Sequence, residues 1–151
     1  MTMKQMQYKL DALVRRLKQT AALETVRFVR EYAAEYAETP VRGWLAAVSV
    51  TRIVRGEGFF GGFLSSSVKG EPYEMTAEIR LYAPTGSNGS GLSQKTGALL
   101  SLLEQADEEH MVTGAQVSPI EFDADCSAVF RRVELQMRFC LCEVVQNGVS
   151  L

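Results

Sequence analysis

The sequence predicts an α+β fold: a single domain over residues 1–151, with a mostly antiparallel sheet of about four to five strands and two helices packed on one face. Three observations predict it. Some stretches carry apolar residues at spacings of three and four, as one face of a helix requires. Others carry them at every second position, as a half-buried strand requires. The order is helix, possible strand, two strands, helix, two strands, which lacks the regular strand–helix alternation of a parallel sheet. A chain of 151 residues can bury roughly 70% of the surface it exposes when unfolded, so no metal or disulfide staple is required. Residues 1–4 and 146–151 are expected to fray.

Residues 4–19 form the first helical pattern, with Met6, Leu10, Leu13, Val14 and Leu17 on one stripe. Lys9, Asp11, Arg15, Arg16 and Lys18 occupy the other face. Residues 21–38 are read as a strand from about Glu24 to Arg30, then an extended or loosely helical segment ended by Thr39-Pro40. A helix through Phe28, Tyr32 and Tyr36 is the open alternative for this stretch.

Residues 43–55 read as a strand with Ala46, Val48, Val50 and Val54 on one face. Residues 73–83 read as another, Met75, Ala77, Ile79 and Leu81 opposing Glu74, Thr76, Glu78 and Arg80. Such alternation implies one buried and one wet face, hence antiparallel pairing. A helix over 91–106 follows, its apolar face made by Leu92, Thr96, Leu99, Leu100, Leu103 and Ala106. Two strands close the chain, at about Val112–Phe122 and Cys126–Val145. Pro119 marks an edge or a bulge in the first, and Asp123-Ala124-Asp125 is the turn between them.

The stretch PTGSNGSGLSQKTG at 84–97 resembles a phosphate loop only superficially. A Walker-type loop needs glycine directly before the lysine, so that backbone approaches phosphate closely. Gln94 stands before Lys95. A strand-to-helix turn explains more of the letters. Pro84 ends the strand, Gly86, Asn88 and Gly89 permit positive φ, and Ser90 or Gly91 caps the helix.

Other chemistry finds no support. Net charge is -2, with both signs dispersed, which gives no footprint for nucleic acid. Arg15-Arg16 and Arg131-Arg132 read as solvated faces. No apolar run approaches the roughly 20 residues of a membrane span, and no signal peptide is visible, so a cytosolic chain is expected. His110 is the single histidine and follows the acidic run Asp107-Glu108-Glu109, a surface position rather than a catalytic base. Glu121, Asp123 and Asp125 alternate beside a turn as solvated acids. Cys126, Cys140 and Cys142 are odd in number and read as buried, reduced thiols. The expectation is no catalytic residues, no metal and no cofactor.

The connection GEGFFGGFLSSSVKGEP is far longer than the two to five residues of a tight hairpin. Phe59, Phe60, Phe63 and Leu64 sit there among glycines. They either fold over the domain's own core or bury against another subunit, as exposed apolar patches commonly do.

An N-terminal helix, extended VRFVREY, a strand ending at that loop, RLYAPTGSNGSG, a leucine-rich helix and two closing strands together resemble tail-terminator (tail-completion) proteins of tailed bacteriophages and prophages. The resemblance covers about residues 8–145. It implies a non-enzymatic subunit that forms a homo-oligomeric ring, typically a hexamer. Such a ring caps the tail tube, with the tube protein and a head–tail connector protein as partners, in the bacterial host cytoplasm during assembly and then in the virion tail. Charge balance and the lack of a long apolar run add the expectation of no nucleic-acid and no membrane partner. Phe59, Phe60, Phe63 and Leu64 are the expected interface. The alternative is a small-ligand-binding or regulatory α+β domain with the phenylalanine loop as a lid.

Overall fold

The structure is a computed structural model that describes residues 3–30, 41–56, 68–146 and 149–150; the side chains of 3, 68–71 and 141–150 are not described. It contains α1 (Met3–Lys18), a short 3₁₀ turn (Ala21–Leu23), β1 (Val26–Arg30), β2 (Trp44–Arg55), β3 (Val68–Tyr82), α2 (Leu92–Ala106), β4 (Val112–Val117), β5 (Glu121–Asp123), β6 (Ala128–Gln146) and β7 (Val149–Ser150). The fold is α+β, with a mixed, mostly antiparallel sheet. Its strands run β1-β2-β3-β6-β4, and β5 and β7 add to β6. The sheet is thus somewhat larger than the four to five strands expected. Among the described residues one pair is parallel, β1 with β2, within the mostly antiparallel sheet that the sequence predicts.

Both helices contribute to one core. Met6, Leu10, Leu13 and Leu17 of α1 meet Leu92, Leu99 and Leu103 of α2 over Met75, Ala77, Ile79, Val133, Leu135 and Met137 of the central strands. Each of these leucines buried is worth roughly 1.5–3 kcal/mol. A smaller cluster, Val41, Leu45, Tyr82, Cys126, Ala128 and Phe130, covers one end of the opposite face.

Three local departures from the sequence reading have identifiable causes. The β2 register shifts between Val50 and Arg52. The extra residue reverses the alternation, so Ile53 packs against the core while Val54 is 37% exposed. The strand expected over 112–122 is broken at Ser118–Ile120, because Pro119 cannot donate to the ladder. β3 begins at Val68, inside what reads as loop, and contains Pro72. The Pro72 carbonyl accepts from Gly56 N–H at 2.9 Å. A residue's N and O point to the same side of a strand, so the missing N–H of Pro72 faces Gly56, and the return bond that would complete this pair is lost where β2 ends.

The 84–97 stretch is the strand-to-helix turn expected. Gly86, Asn88, Gly89 and Gly91 all have positive φ. Gly91 is the N-cap residue of α2, and its carbonyl accepts from Lys95 N–H. Lys95 Nζ turns to Thr25 Oγ1 at 3.0 Å and lies over the Trp44 ring. Its ammonium therefore binds the 3₁₀ turn to the sheet.

Candidate interaction surfaces

The predicted interface residues Phe59, Phe60, Phe63 and Leu64 lie outside the described residues. The described residues show a two-stranded ribbon formed by β3 and β6. The last β2–β3 pair is Arg55 with Tyr73, yet β3 and β6 stay paired out to Val68 with Val144. β4 joins β6 only from Met137 inward. Among the described residues the ribbon therefore overhangs the sheet body by about 17 Å, at 3.4 Å per residue.

The sheet face opposite the helices is polar. Glu78 faces Glu134, and Arg80 faces Arg132, across the central pair. Like charges directly opposite repel, and each is answered by another neighbour. Arg80 Nε donates to Glu78 Oε1 at 2.6 Å, and Gln136 Nε2 donates to Glu134 Oε1 at 3.1 Å. Arg132 forms a two-pronged pair with Glu121, and Arg138 meets Glu74 at 3.3 Å. The Glu78 hydrogen bond holds the proton on Arg80 more tightly than usual. Arg80 also lies over the Phe130 ring, 5.4 Å from its centre.

At the end of this face Tyr82 stacks on Phe130 with centroids 5.0 Å apart. Burial pushes the Tyr82 phenol up to about 12. Burial likewise raises the Cys126 thiol. Cys126 is buried as expected, but Cys140 is exposed. It lies beyond the core residue Phe139 and borders the surface groove along α1. Asp123 accepts from Tyr82, and Glu121 holds Arg132. These acids join structural pairs instead of standing free in solvent. His110 is exposed with φ of 53°, at the surface position its acidic neighbours suggest.

Of the grooves that border α-helices among the described residues, one beside each helix bears on the surface. The larger, about 630 Å³, runs along α1 between Tyr8, Arg15, Arg16 and Cys140. It is crossed by the Lys9–Glu109 ion pair at 2.6 Å. The other, about 390 Å³, lies between α2 and β4, where Leu100, Leu103, Val112 and Ala115 meet Glu104 and Asp107. Among the described residues no strand pairs with the outer edge of β4 or of β1. Beside the β4 edge, Val117, Ile120 and Phe122 are 36%, 49% and 65% exposed. The sequence reading missed this trio. Pro119 was its signal, since a proline inside an apolar run marks an edge whose side chains need not be covered by their own subunit. No family model matches this chain, and no curated protein matches it. Among the described residues no helix is long and apolar enough to cross a membrane.

Proposed function

We propose that this chain is a structural assembly protein of the phage tail-terminator type. It forms a homo-oligomeric ring that caps the tail tube of a phage or prophage and offers its free face to the head–tail connector. The work is adhesion, and no bond-making step is assigned to any residue. Assembly takes place in the bacterial cytoplasm, and the finished ring stays in the virion tail.

The overhanging β3–β6 ribbon carries this reading. An isolated pair of strands is marginally stable in water, so a ribbon that outruns its own sheet calls for support from another surface. The same connection holds Phe59, Phe60, Phe63 and Leu64 with no charge between Glu57 and Lys69. Burying each ring at a neighbour would contribute roughly 1.5–3 kcal/mol. In a ring of cyclic symmetry one such contact repeats at every interface.

Size-exclusion chromatography with light scattering tests the proposal. The full chain is expected to give a closed oligomer, alone or when mixed with tail tube protein. Phe59→Ser, Phe60→Ser and Phe63→Ser together should shift it to monomer with unchanged circular dichroism and melting temperature. A chain that stays monomeric under both conditions, or a triple variant that unfolds, would overturn it.

A further inference from the structure

We infer that the groove between α2 and β4 is the receptor for the Phe59–Leu64 segment of a second copy, which adds to the open β4 edge as an extended strand. The inference rests on the ring reading above and names the surface that reading leaves open.

Three observations carry it. The first is the form of the groove: an unpaired strand edge on one side and a helix flank on the other. An extended segment hydrogen-bonded to such an edge sends alternate side chains into the space beside it. The second is chemistry. Leu100, Leu103, Val112 and Ala115 supply apolar walls beside two carboxylates, Glu104 and Asp107, the latter engaged by Met111 and Val112 N–H, and Val117, Ile120 and Phe122 continue the exposed apolar surface from the end of β4. GFFGGFL carries no charge and is apolar at every position that is not glycine. The groove's volume, about 390 Å³, suits a few side chains and not a folded element.

The third is reach. Gly114 of β4 is level with Gln136 of β6, whereas Val68 is level with Val144 and Gly56 lies beside Pro72, level with Cys140. With about 3.4 Å per residue along a strand and about 4.8 Å between strands, Gly114 is roughly 20 Å from Gly56 and roughly 29 Å from Val68. A path from Gly56 to the groove and back to Val68 needs about 49 Å. The chain between those residues spans at most about 43 Å fully extended. A copy's own segment falls short of its own groove, so the occupant comes from another copy.

The test places the photo-crosslinking residue p-benzoylphenylalanine at position 115 of the full chain and irradiates a mixture of ¹⁵N-labelled and unlabelled protein. Crosslinks from position 115 to residues 57–67 in mixed-isotope pairs are expected. Ala115→Glu, which adds a third carboxylate to the groove beside Glu104 and Asp107, should weaken assembly at least tenfold while the circular dichroism stays native. Crosslinks to another segment, or none, in a sample that light scattering shows to be oligomeric would overturn the groove assignment and leave the ring reading standing. If the protein is monomeric, the ring reading fails, and a synthetic peptide of residues 56–68 is added to the labelled monomer. Crosslinking of that peptide at position 115 then supports the groove, and its absence overturns it.

Discussion

The Tyr82 hydroxyl donates a 3.0 Å hydrogen bond to Asp123, tying the end of β3 to the end of β5. The phenol is raised from 10.0 to about 12, first by burial and then by the nearby carboxylate. A phenol raised on folding contributes its stability in full below the unfolded value near 10. That contribution is lost as pH rises through about 12. Resistance to urea should therefore fall between pH 10 and 12, and more steeply than in Tyr82→Phe. Ultraviolet titration should show one of the five tyrosines ionising near 12, and that step should vanish in the variant.

Asp107 closes α2 by accepting from Met111 N–H at 2.9 Å and Val112 N–H at 2.8 Å, and it is 6% exposed. Asp107→Ala would strand both donors. Leaving a buried donor unmet costs about 1–3 kcal/mol, so a loss of about 2 kcal/mol or more is expected from urea denaturation. Asp107→Asn keeps one acceptor oxygen and should lose less.

Gly86 and Gly89 both have positive φ, 87° and 78°. A Cβ on Gly86 meets nothing within 4 Å, whereas one on Gly89 comes 3.0 Å from Val129 Cγ2. Gly86→Ala should therefore cost only the backbone strain, about 1–2 kcal/mol. Gly89→Ala should cost measurably more, and thermal melts of the two variants side by side decide it.

The bulge in β2 predicts an asymmetry between neighbours. Ile53→Ala should lose about 1–3 kcal/mol, because its side chain packs on the core beside Met75. Val54→Ala, on the polar face, should stay within about 0.5 kcal/mol of the parent. Equal losses in chemical denaturation would contradict the register.

Much of this fold is legible in the letters, because burial imposes a period. The stripe Met6, Leu10, Leu13 and Leu17 and the alternation Met75, Ala77, Ile79 and Leu81 are both fully buried. What was not legible depends on partners distant in sequence. A bulge at Thr51 leaves no local mark, since threonine is an ordinary strand residue. Residues 68–72 read as loop through Gly70 and Pro72, yet β6 supplies their ladder from some seventy positions away. Pairing β1 parallel to β2 likewise depends on the connection through 31–43, which local periodicity does not specify. The groove beside Ala115 could not be read at all, because it exists only when α2 and β4 lie together.

The β3–β6 seam carries one last consequence, for how the chain is made. Tyr82 pairs with Phe130 and Val68 with Val144, so the sheet's middle joins the two halves of the polypeptide. A nascent chain can pack α1, β1 and β2 early, but β3 must wait for β6 to leave the ribosome before its second edge is satisfied. Non-local closure of this kind is slow. Yield in cells should then respond to translation speed and to chaperones that shield bare strands, more than to the strength of the finished core.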